Sequence, residues 1–220
     1  MRYEMVGNPD YGELIFDLES GEMVRGVSGA MNWMSSDLGV KARLMGGFIR
    51  SFARKFLGGS SMFISEFTAS SSGGRVSLAP TLPGAIQSVR LEGGTFWLTA
   101  GSFLAATEGI DLRTKFYGFR AFFSGKGAFL IQASGTGEVW FNAYGALVER
   151  ELDGELTVDT GHVCAFDPSV DYRIGGMGGI KQTLFSGEGL VLKFSGRGRI
   201  FLQTRNIGGT AGWLSPFCRG

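Results

Sequence analysis

Apolar and polar residues alternate in short runs along most of this chain, and the runs end in glycine. The stretches ELIFDL, AIQSVRL and ALVEREL stop at Leu18, Leu91 and Leu152. Each meets a turn-forming pair, Ser20-Gly21, Gly93-Gly94 or Asp153-Gly154, and a second run then closes at Gly29, Gly101 or Gly161. Alternation with period two describes a strand with one buried face. Glycine supplies the positive φ that tight hairpin turns require. The pattern predicts three hairpins over residues 13–29, 85–101 and 146–161, with Gly21, Gly94 and Gly154 at equivalent turn positions.

A second pattern follows each hairpin. Residues 122–143 and 184–204 both read S-G-x-G, strand, S-G-x-G, strand, and residues 56–78 hold a degenerate version. The inner spacing differs by one residue, which a β-bulge absorbs. Turn geometry accounts for these glycines, because a phosphate-binding loop needs a helix N-terminus after it and strand residues follow here. The chain therefore divides into three repeated β units, 1–84, 85–145 and 146–206, with 207–220 as a C-terminal extension.

The first unit is longer because of an insertion with a different period. In KARLMGGFIRSFARKFL, residues 41–57, a helical spacing gathers Leu44, Met45, Phe48, Ile49, Phe52 and Phe56 on one arc and Arg43, Arg50 and Arg54 opposite. Gly46 and Gly47 weaken that helix by about 1 kcal/mol each relative to alanine. The segment reads as one inserted amphipathic helix that covers a barrel end or subunit contact, or docks on a membrane surface or partner. The candidate surface is Arg43, Phe48, Arg50, Phe52, Arg54 and Phe56.

Composition narrows the classes. Of 220 residues, 37 are glycine and only 5 proline, without a collagen period, and 19 are phenylalanine. At 44% hydrophobic and 19% charged, the chain can bury a real core. A net charge of +1 is a poor footprint for nucleic acid, which is disfavoured. The balance is uneven, since residues 38–65 carry +5 and the remainder −4. Cys164 and Cys218 are too few for a disulfide scaffold and show no metal spacing. The opening MRYEMVGNPDYG has neither signal-peptide nor transit-peptide character, and no run of 18 apolar residues occurs. A cytoplasmic protein, peripheral to a membrane at most, is expected.

Catalytic chemistry is sparse. His162, the one histidine, shares a strand face with Cys164, but a nucleophile pair needs an orienting third group. No nucleophile elbow, Walker sequence or HExxH occurs. Glu149, Glu151, Asp153, Glu155 and Asp159 alternate with apolar residues as a solvated sheet face does, and Trp33, Trp97, Trp140 and Trp213 suit core or interface anchors. No enzyme, metal or cofactor is expected.

The order of motifs carries a resemblance. GNPDYGELIFDLESGEMVRGVSGAMNWMS, MGGFIRSFARKFLGG, FTASSSGGRVSLAPTLPGAI, the GxFLA strand and the two S-G-x-G pairs together resemble the "altered inheritance of mitochondria" protein 24 family, over about residues 1–206. The resemblance implies an all-β fold of three repeats. Each repeat would be similar to a subunit of the tryptophan RNA-binding attenuation protein, a short double-stranded β-helix sandwich. It further implies homotrimers in which the units of three chains form a ring, and it brings no accepted activity and no catalytic residues. The attenuation protein's ligand residues have no counterpart positions here. The expectation is a non-enzymatic structural or interaction protein forming a ring-like homotrimer that touches an anionic membrane surface. The alternative is a ring-shaped binding module for a small molecule or RNA held between units.

Overall fold

The computed structural model describes residues 1–45, 63–116, 129–175 and 191–218, and these are overwhelmingly β. Five strands open the chain: β1 (Arg2–Val6), β2 (Glu13–Leu18), β3 (Met23–Val27), β4 (Met31–Met34) and β5 (Leu38–Leu44). β6 (Phe63–Ala69), β7 (Gly74–Leu78), β8 (Ile86–Thr99), β9 (Phe103–Thr107) and β10 (Ile110–Phe116) follow. The last are β11 (Phe129–Asn142), β12 (Leu147–Asp159), β13 (Val163–Phe166), β14 (Val170–Gly175) and β15 (Val191–Gln203). Among the described residues the one α-helix is α1 (Ile207–Leu214).

Among the described residues all pairings between strands are antiparallel. A four-stranded sheet runs β1-β2-β7-β4. A larger sheet runs β12-β15-β13-β8-β11-β9-β3-β6-β5, with β10 also on β11 and β14 also on β15. The chain passes between the two sheets at β2→β3, β3→β4, β4→β5, β6→β7 and β7→β8. The alternation predicted from sequence holds in β2, where Leu14, Phe16 and Leu18 are buried and the residues between them are half-buried.

The three predicted hairpins are not hairpins. At Gly21 (φ 78°) the chain does turn, but β2 pairs with β7 and β3 with β6, so the two arms enter different sheets. At Gly94 no turn exists. β8 runs unbroken for 14 residues beside β11, and the register slips where Gly135 faces Gly94 and Thr136 faces Glu92. Gly93, at φ 81°, is left unpaired as a bulge. At Gly154 (φ 118°) β12 also continues, in unbroken register with β15 from Leu147↔Gln203 to Asp159↔Val191. A long partner strand explains the outcome. Turning back would forfeit backbone hydrogen bonds that β11 and β15 already supply.

The second S-G-x-G of each pair likewise lies inside a strand, β11 or β15. Gly137 shows why glycine is needed there: a Cβ would lie 2.0 Å from Thr107 Oγ1, so the strand could not approach the β9–β10 turn.

The core has three linked parts. Leu14, Phe16, Val76 and Trp140 form one, with Phe16 and Trp140 edge to face at 4.8 Å. Phe96, Phe141 and Phe201 join β8, β11 and β15 in the second, with ring centroids 5.2–5.8 Å apart. Phe166, Phe194 and Ile200 anchor the third. Burying each ring contributes about 1.5–3 kcal/mol.

Candidate functional site

The inserted segment begins as a strand, not a helix. Residues 38–44 pair one for one with β6, from Leu38↔Ala69 to Leu44↔Phe63. The β6 edge would otherwise lack partners there, and a ladder of seven residues outweighs a helix already weakened by two glycines. Met45 is buried in the core. Arg43 leaves the expected arginine face: its Nε lies 2.7 Å from Glu66, a buried carboxylate that also takes Arg25 at 3.2 Å. Arg25 in turn donates to the carbonyls of Glu108 and Ile110, tying β3 to the β9–β10 turn. Phe48, Arg50, Phe52, Arg54 and Phe56 lie outside the described residues. Among the described residues no helix is long and apolar enough to cross a membrane.

His162 and Cys164 both lean on Gln203. His162 Nδ1 bonds the Gln203 carbonyl at 2.8 Å, and its Nε2 meets the Asn206 amide at 2.7 Å. Asn206 uses its other atom to cap α1, accepting from Gly209 N–H at 2.6 Å. The Cys164 thiol lies 3.6 Å from Gln203 Oε1, and burial pushes it up to about 12. Such a thiol stays protonated at neutral pH and is a poor nucleophile. The network anchors the C-terminal helix. The acidic residues Glu149, Glu151, Asp153 and Glu155 are exposed, with Asp153 paired to Arg197 at 2.8 Å.

The feature that stands out is the strand that carries Trp33, which sequence marks only as a core or interface anchor. β4 follows Gly29, as β9 follows Gly101 and β13 follows Gly161. Each of these short strands lies on a longer neighbour with the same slip in register. Met31 faces Leu78 and Trp33 faces Ser77. Phe103 faces Phe141 and Ala105 faces Trp140. Val163 faces Leu202 and Ala165 faces Phe201. On their other sides β9 is covered by β3 and β13 by β8, so Phe103 to Ala106 and Val163 to Phe166 are buried. Among the described residues β4 ends its sheet, and Met31, Trp33 and Met34 are 46%, 39% and 37% exposed.

Glu13 on β2 holds this edge in place. Its Oε1 accepts from Ser77 Oγ, from Asn32 Nδ2 at 3.1 Å and from Trp33 Nε1 at 3.2 Å. The Ser77 hydroxyl first, then the Asn32 amide, hold the Glu13 carboxyl below its ordinary value. Arg75 lies over the Trp33 indole at 5.7 Å. The sequence signal was present in the apolar run MNWM after Gly29, at the offset of FLA and VCA after the other two closing glycines. Elsewhere an open groove of about 410 Å³ runs between Met1, Glu22, Arg90, Glu108 and Glu138.

The profile of the mitochondrial biogenesis AIM24 family matches residues 3–205. An uncharacterised protein of Streptococcus pyogenes serotype M6 is 29% identical over 226 residues, spanning 99% of this chain and 91% of its own. A crystal structure of a Streptococcus pyogenes protein superposes with a TM-score of 0.82 at 28% identity, covering 98% of this chain and 99% of that one.

Proposed function

Because this chain belongs to the mitochondrial biogenesis AIM24 family, we propose that it is a non-enzymatic structural or interaction protein that works as a ring-like homotrimer. The units 1–84, 85–145 and 146–206 are then three copies of one double-stranded β-helix-type sandwich, similar to the attenuation-protein subunit. The paired strands support this reading. β2–β3 with β7–β6, β8 with β11, and β12 with β15 occupy matching places, and β4, β9 and β13 share one slip in register.

The observation that carries the proposal is the open β4 edge. An apolar strand whose two counterparts are fully covered is an unmet contact, and natural sheets pair or block such edges. A non-enzymatic role is supported by the protonated Cys164 thiol and by His162 being bound on both nitrogens. In this reading the cytoplasmic ring engages an anionic membrane surface through Arg50, Arg54 and Lys55 of its basic segment, since Arg43 is already paired with Glu66.

Native mass spectrometry and light scattering at micromolar concentration test the assembly, with three chains of 23.6 kDa expected in one particle. A stable single chain overturns it. Salt-sensitive co-sedimentation with anionic vesicles is expected for the basic segment, and its absence at low salt removes the membrane part. A second reading is a ring-shaped module binding a small molecule or RNA between units, which the same spectrum reveals as retained mass; the groove beside Arg90, walled by Glu22, Glu108 and Glu138, suits a small molecule rather than RNA.

A further inference from the structure

We propose that the joint between copies is an antiparallel strand pair in which β12 of one copy adds to β4 of a second copy, with Val158 opposite Trp33 and Thr157 opposite Met34. The inference rests on the ring reading above and names the partner of that edge as a second copy of this chain.

The register comes from the two links that the chain makes within itself. In the first, β3 covers β9, with Gly26 opposite Ala105 and Arg25 opposite Ala106. In the second, β8 covers β13, with Leu98 opposite Ala165 and Trp97 opposite Phe166. Positions counted from the closing glycines make the two links identical. Gly26 stands three residues before Gly29, and Leu98 three before Gly101. Ala105 stands four after Gly101, and Ala165 four after Gly161. The rule is therefore that the third residue before one closing glycine meets the fourth residue after the next.

Among the described residues that rule leaves one strand with nothing to cover and one strand uncovered. β12 runs up to Gly161 and pairs on one side only, with β15. β4 starts after Gly29 and pairs on one side only, with β7. Three residues before Gly161 is Val158, and four after Gly29 is Trp33. The next pair outward is Thr157 with Met34, matching Arg25 with Ala106 and Trp97 with Phe166. The two free edges differ from each other, so the contact is head to tail. Head-to-tail contacts close into rings when the rotation per copy permits.

The chemistry of the two edges agrees with the register. Trp33 and Met34 are exposed in the single chain, whereas their counterparts Ala105, Ala106, Ala165 and Phe166 are buried by the strand that covers them. On the other edge Leu156 and Val158 are half-buried and would be covered by the same contact. Glu13 already fixes the Trp33 ring, which lowers the entropy cost of docking.

Paired cysteines test the joint in a Cys218→Ser background, which removes the exposed thiol and leaves Cys164 buried. Directly opposed antiparallel residues alternate between Cα separations of about 5.5 and 4.5 Å, and both lie within disulfide range. The double variants Trp33→Cys/Val158→Cys and Met34→Cys/Thr157→Cys are expected to give, on mild oxidation, a non-reducing ladder at two and three times 23.6 kDa from at least one pair. The mismatched Trp33→Cys/Leu152→Cys chain is expected to stay single. A matching ladder supports the joint. No ladder from either matched pair, or an equal one from the mismatch, overturns it.

A second variant avoids dependence on disulfide geometry. Val158→Glu is expected to shift the particle to single chains while its far-ultraviolet circular dichroism stays unchanged, and an intact oligomer overturns the joint. Failure of this inference and failure of the ring reading are separable. An oligomeric parent without the matched crosslink rejects this joint alone, whereas a monomeric parent rejects both.

Discussion

Glu13 shows how one side chain can organise an exposed edge. It collects the Ser77 hydroxyl, the Asn32 amide and the Trp33 indole N–H on one oxygen, so its carboxyl titrates below the ordinary 4.5. A carboxylate whose folded-state value is depressed contributes stability that is fully present above the unfolded value. That contribution fades as pH falls through the folded one. The melting temperature of the parent is therefore expected to drop below about pH 4.5 more steeply than that of Glu13→Gln, whose amide does not titrate in that range. Parallel acid limbs in melts across that range would show that the three hydrogen bonds leave Glu13 thermodynamically idle. Glu66 has a different task. It is buried between Arg25 and Arg43, and two cations on one carboxylate tie β3, β5 and β6 together.

At the scale of elements, the glycine pairs show how far local pattern reaches. Alternation located the strands around residues 13–18, 86–99 and 147–159, but it could not say whether a glycine between two runs was a turn or a point inside one strand. Both uses favour a positive φ and a missing side chain. The structure separates them by neighbours. Gly94 has no positive φ, and an added Cβ would meet nothing within 4 Å, whereas Gly154 sits at φ 118°. Gly94→Val is expected to change stability by less than about 0.5 kcal/mol, as at an ordinary exposed strand position. Gly154→Val is expected to cost about 1–3 kcal/mol through backbone strain. Urea denaturation of the two variants checks the contrast, and equal losses would show that the positive φ at Gly154 carries no strain of its own. The start of the insertion carries the same lesson. Arg43 and Leu44 fit a helical arc on paper, yet β6 offered seven backbone partners and the chain took them.

At the scale of the whole molecule, the core crosses the boundaries that sequence suggested. Phe96, Phe141 and Phe201 come from three strands far apart in the chain and meet in one aromatic cluster. Phe201→Ala is expected to cost about 3–5 kcal/mol, as other large-to-small core changes do. Loss of stability in a single transition is expected, because the larger sheet runs without a break from β12 to β5. Two separate transitions in calorimetry would show that the chain melts in independent pieces.

By itself the sequence determined the all-β class, the placement of most strands, the family, and two of the three glycines, Gly21 and Gly154, at which the backbone takes a positive φ. Those properties are local: period-two alternation and the absence of a side chain act on neighbours within a few residues. Only the tertiary structure decided which glycines were corners, where Arg43 would spend its charge, and which apolar strand remained at an edge. MNWM reads in sequence much as FLAAT and VCAF do. What separates them is a covering strand, β3 over β9 and β8 over β13, that arrives from tens of residues away and that β4 lacks among the described residues. Burial of a strand is a property of its partners, and no window of residues around it contains them.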